Sequence, residues 1–281
     1  MKLIINADDA GIDSTRNRGI FECIENGVVT SISAIVYQPG WVDLLDRIEK
    51  NKKAGVGLHV NLTAGRPLIE GHKTLVNERS YFFNKFELFE RAHQGKIDEE
   101  EVIQEFAAQL EAFKKSGLNP SHVDGHNHVH LLPGVREGFL KAIPEKTWVR
   151  IPFESDIKPS NSKGVDLAKI YDDTPALIAV FNFLSLEAKK LWQKRFRYVD
   201  DFRGTRTTDR PTLAAFKKAI GGLNGEICEL MCHPGAKADD DAAHFSKLKE
   251  RQKESRLLKS EGLKEFIQKH NIELISYKEL L

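Results

Sequence analysis

Short apolar runs rich in β-branched residues alternate along the chain with longer segments in which apolar residues recur every three or four positions. The runs predict strands over Lys2–Ala7, Thr30–Tyr37, Gly55–Leu62, Ser121–His126, Trp148–Phe153, Tyr198–Asp201, Ile227–Cys232 and Glu273–Ile275. The periodic segments predict helices over Asp13–Asn26, Trp41–Lys52, Glu99–Lys115, Val135–Ala142, Thr174–Lys194, Thr212–Ile220 and Phe245–Lys269. In Glu99–Lys115 the apolar positions Val102, Phe106, Leu110 and Phe113 share one face, and Gly117 and Pro120 close the segment. Strict alternation of strand and helix argues for parallel strands with crossover helices. About eight such units fit a (β/α) barrel better than an open sheet. No G-x-G-x-x-G follows the first strand, which removes the dinucleotide-binding alternative. Two stretches, near 65–95 and 153–171, lack either period, and loops of that length are usually functional or mobile. With no repeat, low-complexity tract or linker, residues 1–281 are expected to form a single domain.

Charge changes this picture by exclusion. Lys plus Arg is 42 and Asp plus Glu is 41, a net charge of +1, and no stripe of Lys and Arg interleaves with aromatics. Neither nucleic acid nor a membrane is expected as partner. Cys23, Cys228 and Cys232 are too few for a disulfide framework and lack C-x-x-C spacing, so they are expected in the core. The apolar stretch Leu3–Ile5 is shorter than a signal-peptide core. The run Ala176–Leu186 is interrupted by Asn182 and Ser185 and too short to span a bilayer. Asn61-Leu62-Thr63 fits a glycosylation sequon, which has no meaning without secretion. A soluble, reduced, cytoplasmic protein is expected.

In a parallel α/β barrel the ligand sits at the C-terminal ends of the strands, and four strand ends here carry unusual residues. The first reads N-A-D-D-A-G, with Asp8 and Asp9 adjacent. The third reads G-V-G-L-H-V-N-L-T and carries His59. The fourth, S-H-V-D-G-H-N-H-V-H, places His122, Asp124, His126, His128 and His130 at alternate positions. The seventh ends C-H-P-G on His233. A row of imidazoles makes a poor core, since each ring must satisfy a donor and an acceptor, but a good wall for a metal. If the fourth run stays extended, its alternate residues share one face. Two adjacent carboxylates cost several kcal/mol of desolvation and repulsion unless a cation compensates, of order that of a buried unpaired charge. A strand-end Asp often caps the next helix, but Asp13 or Ser14 is available for that task. Gly55 and Gly57 leave little side chain beside His59. His233 before Pro234-Gly235 suits either a turn or a functional role.

Together these pieces resemble the YdjC-like (ChbG) family of carbohydrate deacetylases. The matching stretches are N-A-D-D-A-G at 6–11, V-V-T-S at 28–31, G-L-H-V-N-L-T-A-G-R-P-L at 57–68, H-V-D-G-H-N-H-V-H at 122–130 and C-H-P-G at 232–235. The resemblance implies a deformed (β/α) barrel of the glycoside hydrolase/deacetylase superfamily. It further implies removal of acetyl groups from N-acetylated mono- or oligosaccharides, such as chitooligosaccharides, with one divalent metal ion. Magnesium or zinc comes first, and manganese or cobalt also suits mixed N and O donors. By the same resemblance Asp9, His59 and His126 are the metal ligands, Asp8 the general base and His233 the general acid. Dimers occur in the family, so a homodimer is compatible with it. Two departures concern the substrate. Ala10 stands where members often have Phe, which should open the mouth of the site, and G-H-N-H-V-H replaces S-H-H-H-V-H, with Asn127 off the ligand face.

Such residues suit metal-assisted amide hydrolysis: an activated water, a base to take its proton and an acid for the leaving amine. Arg66, Arg150 and the aromatics Tyr81 to Phe83 are candidates for holding sugar. Two alternatives stand beside this reading. One is another metal-dependent amidohydrolase or phosphoesterase, which would use a second metal and a bridging group, often a modified Lys. No strand-end Lys clearly offers one. The other is a non-catalytic carbohydrate-binding protein, against which Asp8 and His233 argue. Fold alone decides neither.

Overall fold

The computed structural model describes residues 1–236 and 248–281. The chain packs as two compact units. Met1–Gly57 and Val199–Leu281 form the first, and Leu58–Tyr198 the second. The strands are β1 (Lys2–Ala10), β2 (Ser31–Ala34), β3 (Gly55–Val60), β4 (Val123–Gly125), β5 (Asp201–Arg203), β6 (Ile227–Cys232) and β7 (Glu273–Leu274). Helices separate most of them, as the alternation predicts for an α/β chain.

In the first unit the strand order is β2-β1-β6-β5, with β7 also on β1. Every one of these pairs is parallel. β1 runs through the centre: its residues Lys2 to Ala7 pair in register with Ile227 to Cys232. Leu3, Ile4 and Ile5 are wholly buried, because a parallel strand has both faces covered. This is why the front of the chain reads as an unbroken apolar run rather than an alternating one. The helix Ser14–Asn26 starts where Asp13 accepts a hydrogen bond from the Arg16 amide. Asp8 and Asp9 are therefore not needed as caps. All three cysteines are buried and unbridged, and burial pushes the Cys23 thiol up to about 12 and that of Cys228 to about 11.

In the second unit β3 pairs with β4 in parallel, with His59 opposite Asp124. The helix Glu99–Lys115 has Asp98 as its cap, three glutamates in its first turn and two lysines in its last, which complements the helix dipole. It buries Val102, Phe106, Leu110 and Phe113 as expected, and also Glu105 and Gln109. Gln109 exchanges hydrogen bonds with the Asn61 backbone, and Glu105 accepts the amides of Leu68 and Ile69. Those polar contacts tie down the start of the aperiodic 65–95 stretch, which also contains an unforeseen helix, Lys85–His93.

Three expected elements differ. Trp148–Phe153 is reduced to bridges, Val149 with Val123 and Trp148 with Arg197, since Pro152 has no amide and Phe153 turns back onto the Ile151 carbonyl. Tyr198–Asp201 straddles the boundary between the units. Arg197 pairs in the second, and β5 begins only at Asp201 in the first. Phe245–Lys269 is two helices, Leu248–Leu258 and Glu261–Lys269, interrupted at Ser260, whose hydroxyl donates to the Leu257 carbonyl. Its predicted start at 245–247 lies outside the described residues. Among the described residues no helix is long and apolar enough to cross a membrane.

The helix Ser14–Asn26 approaches the turn after β6 at Gly19, where a Cβ would lie 2.2 Å from the Gly235 carbonyl carbon. Gly19→Ala should thus lower stability by about 1–3 kcal/mol through overpacking. This opposes the ~1 kcal/mol that Ala ordinarily gains over Gly inside a helix. Urea denaturation of the two proteins measures the difference, and a more stable variant would contradict the close approach.

Candidate active site

The two aspartates sit at a break in the strand register. On β1, Ala7 pairs with Ile32 and Ala10 with Ala34, so Asp8 and Asp9 together face the single residue Ser33. This is a β-bulge: one extra residue, locally broken alternation and re-aimed side chains. Asp9 takes the left-handed backbone conformation with φ 69°, which Asp tolerates better than most residues. Gly11 continues the turn at φ 89°, where a Cβ would meet the Ile35 carbonyl oxygen at 2.7 Å. Its amide donates to Asn17 Oδ1 at 2.8 Å. The motif N-A-D-D-A-G is thus a bulge followed by a left-handed exit. Ala10 is fully buried and pairs with Ala34.

Both carboxylates are 2% exposed, and they have different neighbours. Asp8 accepts from Asn6 Nδ2 at 2.8 Å, and Asn6 also donates to Ser33 Oγ. Asp8 Oδ2 lies 3.9 Å from His233 Nε2, so the structure brings together the residues expected as base and acid. Asp9 Oδ2 accepts from Arg251 at 2.6 Å. Arg251 belongs to the helix Leu248–Leu258, which also holds the C-H-P-G turn. Glu254 accepts the His233 amide at 3.1 Å, Ser255 Oγ donates to the Gly235 carbonyl at 2.9 Å, and the Gly235 amide reaches the Arg251 carbonyl. Burial pushes the Glu254 carboxyl up to about 8, with Asp8 and Asp9 adding to the rise against the pull of Arg251. Burial likewise lowers the pKa of Arg16, helped by Arg251, although Asp9 and Asp13 oppose it.

In the second unit His59 is 1% exposed and its Nδ1 lies 2.7 Å from Asp124 Oδ1. The other Asp124 oxygen pairs with Arg150 at 2.7 Å, and both of these side chains are wholly buried. Burial alone would raise the Asp124 pKa, but Arg150 and His59 outweigh it and hold the carboxyl well below the ordinary value. The His59 ring is thereby fixed in orientation, and any ligation by it runs through Nε2. His126 stands beside it, ring centroids 5.5 Å apart at 70°.

The extended row of alternating histidines is not formed. β4 ends at Gly125 and His126–Leu131 is a 3-10 turn, with Asn127 and His128 left-handed at φ 52° and 54°. His130 Nε2 donates to the Arg150 carbonyl at 3.0 Å, and the ring lies among Phe139 and Trp192. Burial lowers its pKa to about 4, and burial with Arg150 and His130 holds His128 well below its ordinary value. His130 is a core histidine and His128 is half-buried, and the lowered pKa of each favours the neutral ring.

Arg150, expected at the sugar, is corrected by its burial: its guanidinium supports Asp124 and does not reach solvent. Arg66 is exposed, 4.2 Å above the Tyr81 ring, itself 45% exposed. Phe82 is buried and Phe83 lies under Arg91, so these two pack the loop. Asn61 is buried as an Asx turn that accepts the amides of Thr63 and Ala64, which makes the sequon structural. Three residues at the site were missed: Arg251, Glu254 and Thr208, the last 3.2 Å from His233 Nδ1. Only the three-residue spacing of Arg251 and Glu254 on a helix could have hinted at them, and any charged helix shows such pairs.

Comparison with known proteins now places the chain. The family model described as YdjC-like protein matches residues 2–269, and the chain belongs to that family. A carbohydrate deacetylase of Clostridium beijerinckii is 31% identical over the full length of both chains. One from Homo sapiens is 30% identical over 84% of this chain and 75% of its own. Among solved structures, a putative cellobiose-phosphate cleavage protein from Enterococcus faecalis V583 shares the fold. Its TM-score is 0.78 at 26% identity, covering 99% of this chain and 98% of that one.

Glu254 yields a pH test. Its native pKa of about 8 exceeds the ordinary ~4.3 of a free Glu. Its contribution to stability is therefore complete below about pH 4 and is lost as pH rises through 8. Glu254→Gln should flatten the stability profile over that window, with up to ~1.4 kcal/mol per pH unit removed from the slope. Denaturation midpoints at pH 5 and 8.5 measure it. The variant should gain on the wild type at the higher pH, and identical profiles would contradict the raised value.

Proposed function

We propose that this protein is a metal-dependent carbohydrate deacetylase that hydrolyses the acetamide of N-acetylated sugars, with chitooligosaccharides as the substrate type. The observation that carries the reading is the Asp8–His233 pair, a buried carboxylate facing an imidazole at 3.9 Å at the end of the central strand. The names of the curated relatives support the substrate class.

Asp9, His59 and His126 make the donor set proposed for the metal, one carboxylate and two imidazoles. Their chemistry suits a divalent ion such as magnesium, zinc, manganese or cobalt. The Asp124 carboxylate on His59 Nδ1 is the support that metal-binding imidazoles ordinarily have. Such an ion supplies Lewis acidity for the acetyl carbonyl and for water.

The rest of the reaction belongs to the chain's own side chains. Asp8 takes the proton of the attacking water, its carboxylate held in place by Asn6. His233 gives a proton from Nε2 to the departing nitrogen, because an amine anion is too poor a leaving group. Arg66 with Tyr81 offers an exposed cation and aromatic face of the kind that packs against a sugar ring.

The experiment is acetate release from N,N′-diacetylchitobiose and a panel of N-acetyl sugars by metal-reconstituted protein. Acetate is expected from the wild type, its release stopping with a chelator and falling about 10²–10⁴-fold in Asp8→Asn. His126→Ala should lose both metal and activity. No acetate from any sugar, or full activity in Asp8→Asn, would refute the proposal.

A further inference from the structure

We infer that Thr208 is the positioning residue that sets the proton arrangement of His233, an inference that rests on reading His233 as the acid of deacetylation. Thr208 Oγ1 lies 3.0 Å from the Gly204 carbonyl and 3.2 Å from His233 Nδ1. A hydroxyl has one proton, and a carbonyl oxygen only accepts. The Thr208 proton therefore goes to Gly204, and its oxygen accepts from His233 Nδ1–H. The same carbonyl also receives Thr207, through its hydroxyl at 2.9 Å and its amide at 3.2 Å. Gly204 is itself held tightly: at φ 156° a Cβ there would lie 2.7 Å from Met231 Cβ on β6.

The remaining contacts fix the backbone. Glu254 holds the His233 amide, and Arg251 and Ser255 hold Gly235 on either side of its peptide. Among the described residues, charged and titratable groups at the ring and its turn include Asp8 from β1 and Glu254 and Arg251 from the helix Leu248–Leu258. Thr208 is the uncharged partner on the opposite nitrogen. With Nδ1 committed to Thr208, Nε2 faces Asp8.

The arrangement matters because of the proton that moves. The imidazolium carries hydrogens on both nitrogens. Giving the Nε2 proton to the amine breaks that N–H bond and leaves a neutral ring protonated at Nδ1. That tautomer is the one Thr208 stabilises, and the competing tautomer, protonated at Nε2, would lose the hydrogen bond. Thr208 thus favours release of the proton from the nitrogen that faces the reaction.

The test uses the full chain, zinc-reconstituted and labelled with ¹⁵N-histidine. The neutral His233 of the wild type should show the Nδ1–H tautomer, Thr208→Val should shift it toward Nε2–H, and Thr208→Ser should restore it. On N,N′-diacetylchitobiose, Thr208→Val should lower kcat about 10-fold with KM within about 2-fold, as for loss of one hydrogen bond to a charged group. Thr208→Ser should keep most of the rate. An Nε2–H tautomer in the wild type overturns the inference without any variant. So does Thr208→Val with unchanged tautomer and kcat. If the wild type releases no acetate, the deacetylase reading fails, and the tautomer spectra still decide the role of Thr208.

Discussion

Two carboxylates placed side by side where a buried strand ends are the constraint on which the first unit of this structure depends. Burying one ionised carboxylate costs several kcal/mol, and a second beside it adds repulsion. The chain meets this by a bulge that gives the two different surroundings. Asn6, one pleat back on the same strand, donates to Asp8, and Arg251 takes Asp9. The helix that carries Arg251 also grips the C-H-P-G turn through Glu254 and Ser255. One helix therefore steadies one aspartate directly and the facing histidine through its backbone. Burial raises the Glu254 pKa to about 8, and the same negative charge adds to the rise.

The second unit solves a smaller version of the problem in the opposite way. Asp124 is as deeply buried as any residue of the chain, yet it remains ionised because Arg150 and His59 take one oxygen each. Removing one partner of such a pair ordinarily costs about 3–5 kcal/mol. The arrangement therefore holds the His59 ring rigidly in one orientation. Rigidity of this kind is what a metal-binding or catalytic side chain needs from its support.

Much of this was legible in the sequence, and the failures have physical reasons. The buried parallel strands announced themselves as unbroken apolar runs at Leu3–Ile5 and Ile227–Cys232, and the face of Glu99–Lys115 by its spacing. The unusual polar residues at strand ends marked the site because an apolar strand has no structural use for them. The histidine row was misread because alternation was carried past Gly125. Asn127 and His128 adopt left-handed backbone angles there, and period-two reasoning fails at the first such residue. Arg150 gave no sign of its burial, since nothing local distinguishes an Arg that pairs with Asp124 from one that meets a ligand. Thr208, Arg251 and Glu254 were invisible for a related reason. Their roles come from contacts with Asp9 and His233, more than two hundred residues away from Asp9 in the case of Arg251.

The central proposal assigns Asp9 as a metal ligand and Asp8 as a proton acceptor. Metal content of Asp8→Asn and Asp9→Asn, measured by elemental analysis after identical reconstitution, tests it most directly. The account predicts about one divalent ion per chain in Asp8→Asn, as in the wild type, and little or none in Asp9→Asn. Equal metal content in both variants, or loss from Asp8→Asn with retention in Asp9→Asn, would contradict the assignment.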